Sequence, residues 1–175
     1  ERIHTIRRSK PDDFQIKEAA ELIKKSKKPI IISGGGVFYS DATDQLSAFA
    51  IKHNIPVTQT VMGYSTMKKD HSHYLGVIGG LGGKAANNLS KETDTAIAIG
   101  TKLADFTTGS WANFENPDFK LVSINAARFD ANKHMAQAVV GDAKVSLMEL
   151  SQALGSWKAD SVWYKKSRVE LKEWE

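Results

Sequence analysis

Ile30, Ile31 and Ile32 stand side by side with no polar residue between them. A lysine-proline break, Lys28–Pro29, precedes them and three glycines, Gly34–Gly36, follow. A strand with one wet face alternates apolar and polar residues, whereas an unbroken β-branched run needs protein on both sides. This run therefore calls for a sheet covered on both faces. Four further segments read as strands of the same sheet: Ile55–Thr60, Asp94–Gly100, Lys120–Asn125 and Ala138–Asp142.

Helical patterns lie between these strands. Pro11, Asp12 and Asp13 start one, with Ile16, Ala19, Ala20 and Ile23 at helical spacing. Ser40 or Asp41 is placed to cap the next, which carries Leu46, Phe49, Ala50 and His53 on one stripe. Lys84–Glu92 reads as a short helix. Asp142 caps a last one with Ala143, Leu147, Leu150 and Leu154 on one face, ended by Gly155. Residues 61–83 and 101–118 read as long loops. Strands alternating with helices predict an α/β fold, a Rossmann-like parallel sheet with helices on both faces.

The 175 residues suffice for one domain with a core. The chain contains no cysteine, which excludes disulfides and thiolate metal sites. No apolar run is long enough for a transmembrane helix. The first residues, ERIHTIRRSK, lack the layout of a secretion signal, which fits a cytoplasmic protein. The net charge of +4 comes mainly from scattered lysines. The densest group, Lys24–Lys28, sits at a helix end, where cations suit the dipole; neither a nucleic-acid nor a membrane partner is expected. Three of the four tryptophans, Trp157, Trp163 and Trp174, crowd the end of a sequence that starts at Glu1. The expected division is a linker over residues 1–10, a globular domain over 11–156, and a tail over 157–175 that leads into or docks on another domain.

In parallel sheets, ligands bind beyond the carboxyl ends of the strands. Here those ends run into Gly34–Gly36, Thr58–Thr60, Gly100–Asp105, Asn125–Ala127 and Gly141, which makes one polar, glycine-rich edge a candidate binding face. No complete chemistry is legible on it. The glycine turn matches the first two positions of the dinucleotide fingerprint, but Tyr39 occupies the third. A tight turn is the simpler reading, with its backbone N–H groups left as a candidate anion cradle. The stretch Ile78–Ala85 fails the P-loop pattern at both its first glycine and its magnesium-binding hydroxyl. His71 and His73 lack nearby acidic or cysteine partners and read as loop residues, and His134 reads as structural.

The strings GTKLADFTTGSW and SINAARFDANKHMAQAVVGDA, with KPIIISGGGV and NIPVTQT, resemble the central domain of thiamine-diphosphate-dependent enzymes of the acetolactate synthase type. Ala104–Thr108 and Asn125–Lys133 are most similar to the trihydroxycyclohexanedione hydrolase branch, which serves myo-inositol catabolism. The resemblance spans about residues 10 to 155. It implies thiamine diphosphate and Mg²⁺ held by a pyrimidine-binding and a diphosphate-binding domain of the same enzyme, in a homo-oligomer. This stretch would itself hold no cofactor and would not be catalytic. Flavin-binding relatives would place a nucleotide at Gly34, Gly35, Gly36, Gln59, Thr60, Gly79–Gly82, Gly100, Thr101, Lys102, Leu103, Asn125, Gly141, Asp142 and Ala143. Where they often have an arginine, this chain has Lys102, a point charge rather than a planar fork, so FAD is not expected and the cleft is expected to be vestigial. Asp105 and Phe106 are the expected substrate-channel wall, and no catalytic or metal-ligating residue is assigned. Two other readings stand beside this one: an acetolactate-synthase-like lyase, and a stand-alone nucleotide-binding Rossmann module.

Overall fold

The computed structural model describes residues 7–174. Of the expected linker, residues 1–6 lie outside the described residues. Helix α1, Asp13–Lys24, begins where the Asp12 carboxylate accepts hydrogen bonds from the N–H groups of Phe14 and Gln15. It buries Ile16, Ala19, Ala20 and Ile23, the stripe that the spacing predicts. Strand β1, Pro29–Ser33, is buried at every position, and so is β4, Thr95–Ile99. The other strands are β2, Val57–Gln59; β3, Tyr74–Val77; β5, Lys120–Asn125; and β6, Gln137–Val140. All pair in parallel, in the order β3-β2-β1-β4-β5-β6. This is the doubly wound order, whose topological switch point lies between β1 and β4.

The connecting helices are α2, Gly35–Tyr39; α3, Thr43–His53; α4, Lys84–Glu92; α5, Asp105–Thr108; α6, Arg128–Ala131; α7, Ala143–Leu154; and α8, Ser161–Trp174. Helices α1 and α3 both pack on α7, whereas α4 packs on α8. Asp142 caps α7 as expected, accepting from the N–H groups of Lys144 and Val145.

The structure corrects the sequence reading in four places. Neither Ser40 nor Asp41 caps α3. The chain first makes the short α2 inside the glycine turn, Asp41 takes a left-handed φ of 51°, and Ala42 stands at the cap without a side-chain bond. Residues 61–83 contain β3, which hides in the pattern because Gly76 interrupts it at a φ of 101°. Residues 101–118 contain α5. The terminal tail holds α8, which docks on this chain itself: Trp163 is buried and its Nε1 donates to the Pro29 carbonyl at 2.8 Å. Trp157 is half-buried against the core, and Trp174 is exposed. Among the described residues no helix is long and apolar enough to cross a membrane.

Candidate functional site at the carboxyl edge of the sheet

The glycines after β1 and β4 lock into each other. A Cβ on Gly34 would stand 2.4 Å from the Gly100 carbonyl oxygen, and one on Gly36 would stand 2.6 Å from the Gly100 Cα. Gly63, after β2, closes the same contact from the other side, with a hypothetical Cβ 2.2 Å from the Ser33 carbonyl oxygen. The turn therefore answers to backbone packing across the switch point. Its N–H groups are largely committed too: Gly34 donates to Ile99 and Gly36 to Gly100, at 2.8 and 2.9 Å. This removes two of the three donors that an anion cradle would need, and corrects that expectation.

The other expected cleft residues are present at this edge, and several of them are engaged in holding the loops. Gln59 is buried and donates to Thr66 Oγ1 and the Met67 carbonyl. Thr60 Oγ1 accepts from Gly63 N. Thr101 Oγ1 accepts from Leu103 N, and Asn125 Nδ2 donates to the Thr101 carbonyl. Lys102 and Asp105 are exposed. Gly141 is buried, and a Cβ there would lie 3.0 Å from Pro11. Asp142 bonds the guanidinium of Arg8 at 3.0 Å, while Arg8 also donates to the Ser40 carbonyl. The segment from Arg8 to Pro11 thus lies across the β6 end of the edge. Arg8 gave no signal in the sequence, where it is one of many scattered cations.

Beyond this engaged layer the loop tips are apolar. Phe38, Tyr39, Met62, Tyr64, Leu81 and Phe106 are all exposed, and all follow the carboxyl ends of β1 to β4. Phe106 lies against Gly80, whose hypothetical Cβ would approach its ring at 3.4 Å. A cavity of about 710 Å³ lies elsewhere, near the amino ends of β4 and β5, lined by Lys25–Lys28, Asp94, Asp118 and Lys120 among others. There Asp94 accepts from Lys27 N, Lys28 N and Ser26 Oγ, a set that joins α1 to the sheet.

The histidines are placed away from this edge. His73 is buried, its Nε2 facing Asn54 Oδ1 at 3.3 Å and its ring 4.6 Å from that of Tyr164. Burial, with the neighbouring His71 and Arg168, lowers its pKa from 6.5 to about 4. The reading of His73 as a solvated loop residue is thereby corrected: it anchors α8. His71 is half-buried and its pKa is also lowered, chiefly by burial. His134 is exposed and stacks on Trp111, with ring centroids 4.5 Å apart. Among the described residues no three His, Cys, Asp or Glu side chains converge as metal ligands.

Residues 16–150 match the family described as "Thiamine pyrophosphate enzyme, central domain". The chain belongs to this family. Its α/β sheet is the Rossmann-like fold that the sequence predicts for such a domain. Among curated proteins the chain is 41% identical, over 99% of its length, to a 3D-(3,5/4)-trihydroxycyclohexane-1,2-dione hydrolase of Clostridium tetani. It is 42% identical over 87% of its length to proteins of that name from Clostridium perfringens and Bacillus cereus. The chain spans about a quarter of the length of these relatives. Holding a thiamine diphosphate needs a cation and a diphosphate cradle. With the Gly34 and Gly36 N–H groups committed to Ile99 and Gly100, the glycine turn does not fit the diphosphate.

Proposed function

We propose that this chain is the central, mainly structural domain of a thiamine-diphosphate-dependent hydrolase that opens trihydroxycyclohexane-1,2-dione by cleaving a C–C bond with water. The observation that carries the reading is 41% identity along 174 residues to a protein named for that activity. The carboxyl edge supports it as an engaged scaffold with apolar tips. In this reading a pyrimidine-binding and a diphosphate-binding domain of the same polypeptide hold thiamine diphosphate and Mg²⁺. The whole enzyme is a cytoplasmic homo-oligomer.

The central domain contributes packing surfaces and, through Asp105 and Phe106, part of the substrate channel. Gly34–Gly36, Gln59, Thr60, Gly100–Lys102, Asn125, Gly141 and Asp142 mark a nucleotide cleft converted to structural use. The decisive experiment is an assay of the full-length polypeptide for ring opening of the diketone, with and without thiamine diphosphate and Mg²⁺. Cofactor-dependent opening is expected; its absence from a folded full-length protein overturns the reading. A thermal shift of this chain with thiamine diphosphate, FAD, ADP or NAD is expected to be flat. A saturable rise with any of them refutes the scaffold role.

A further inference from the structure

Asn87 sits on α4, in the half-buried layer under the carboxyl edge. Its side chain pairs with both backbone polar groups of a single residue. Gly79 N donates to Asn87 Oδ1 at 2.9 Å, and Asn87 Nδ2 donates back to the Gly79 carbonyl at 3.1 Å. One amide side chain thus plays the part of a neighbouring strand for a loop that has none. The same Oδ1 accepts a third bond, from Nδ2 of the buried Asn113, at 3.2 Å. Asn87 therefore ties the loop after β3, residues 78–83, to the loop after β4, residues 104–113.

The two loops also touch directly. Gly80 N donates to the Phe106 carbonyl at 2.9 Å. Gly79 adopts a φ of +99°, and a Cβ there would stand 2.3 Å from that same oxygen. The loop after β3 has four glycines, Gly79, Gly80, Gly82 and Gly83, and Leu81 is its exposed apolar tip. Such a sequence has little intrinsic order, because glycine loses more backbone freedom on folding than any other residue. Its definition comes from the bonds at its base, and Asn87 makes two of them.

We propose that Asn87 is a positioning residue: it clamps the two loops into one wall, so that Phe106 and Leu81 are presented together at the edge where a parallel sheet receives ligands. The catalytic consequence rests on the reading above, that the whole protein is a hydrolase whose channel this edge borders. The clamp itself does not.

The test uses the full-length protein. Asn87→Asp keeps the acceptor for Gly79 N and Asn113 but sets an oxygen against the Gly79 carbonyl; Asn87→Ala removes all three bonds. Hydrogen exchange of segments 78–83 and 104–110 is expected to speed up together by about tenfold in either variant, with β1 and β4 unchanged. If only one loop responds, or neither does, the clamp is wrong. If Asn87→Ala fails to fold, Asn87→Asp and Asn113→Ala carry the same measurement. In the ring-opening assay, Asn87→Asp is expected to lower kcat/KM by about tenfold, mainly through KM. In a Phe106→Ala background the loss should shrink to about twofold or less, because Asn87 acts through Phe106. Additive losses would assign Asn87 a general structural role and overturn its positioning role. A wild-type protein that opens no diketone overturns the hydrolase reading, and the exchange arm then still judges the clamp.

Discussion

The carboxyl edge of the sheet and the docking site of α8 are built by opposite means. At the carboxyl edge, Gly34, Gly36, Gly63 and Gly100 bring backbones into direct contact, and large apolar side chains are left facing outward. At α8, side chains do the joining. Trp163 Nε1 bonds Pro29, Tyr164 OH bonds Ser72, Arg168 bonds Tyr74, and Lys28 and Lys166 pair with Glu92. His53 and Asn54 hold the approach to the helix: His53 Nδ1 faces the Trp157 carbonyl at 2.8 Å and Asn54 Nδ2 donates to Ala159. At the α8 contact Trp163 is buried and the helix is tied to the chain by these side-chain bonds, although Trp174 at its end is exposed. The carboxyl edge is complete only in its base layer, and its tips present surface. If the exposed tips serve another molecule, as proposed, substitutions there should spare stability, whereas those at the α8 contact and in the glycine lock should not.

The largest effect is expected where α8 is anchored. Trp163→Ala removes a buried aromatic and orphans the Pro29 carbonyl, and should cost about 4 kcal/mol. Trp163→Phe should cost about 1 kcal/mol, the share of the hydrogen bond. Urea unfolding measures both. An unchanged midpoint for Trp163→Ala would mean that α8 lies outside the cooperative unit.

Next comes the glycine lock. Gly36→Val drives a β-branched side chain into the Gly100 Cα and must part β1 from β4, at a cost of about 3 kcal/mol. Its neighbour provides the contrast: a Cβ on Gly35 would meet its nearest atom, the Met62 carbonyl oxygen, at 3.0 Å. Gly35→Ala should therefore cost below about 1 kcal/mol. Equal losses at the two positions would show that helix propensity, not backbone approach, sets the need for glycine.

Acid should loosen α8 selectively. The folded pKa values of His53, His71 and His73 are all lowered, mainly by burial, so the unfolded chain binds protons more readily. Stability is then fully present above pH 6.5 and falls as the pH drops toward about 4, where His73 titrates in the fold. We expect His73 to account for about 2 kcal/mol of this loss, below the ceiling of about 3 kcal/mol that its shift implies. His73→Phe keeps the ring against Tyr164 and should flatten the pH dependence in that window. An unchanged slope would assign the acid sensitivity elsewhere.

Much of the frame was legible because burial writes itself into sequence. The Ile30–Ile32 run, the Ile16–Ile23 stripe and the Asp142 cap each encode their structure within a few residues. Strand β3 was not legible, because Gly76 and an intermediate burial pattern give it neither alternation nor an apolar run. The docking of α8 was hidden for another reason. Its partners, Pro29, Ser72 and Tyr74, lie about 90 to 135 positions away in sequence, and no local pattern reports such distances. The glycine turn was legible as a tight turn, but the backbone it packs against was not, because that depends on what lies across from it. Arg8 and Asn87 were missed because their roles come from contacts made across loops that no local pattern reports, and neither residue type is unusual where it stands.

The smallest effect on stability is expected at the tips, and it bears most directly on the comparison. Phe106 is 58% exposed, so Phe106→Arg removes little buried surface and should change stability by less than about 0.5 kcal/mol. If the edge borders a substrate channel, the same substitution should change KM for the diketone in the full-length enzyme. It places a guanidinium with five donors where an apolar ring now lies against Gly80. A stability loss comparable to that of Gly36→Val would make Phe106 part of the base layer. Unchanged stability together with unchanged KM would remove it from the channel wall. Only an altered KM on an intact fold marks it as a surface kept for another molecule, because burial and hydrogen bonding would then have been excluded as reasons for a phenylalanine at that tip.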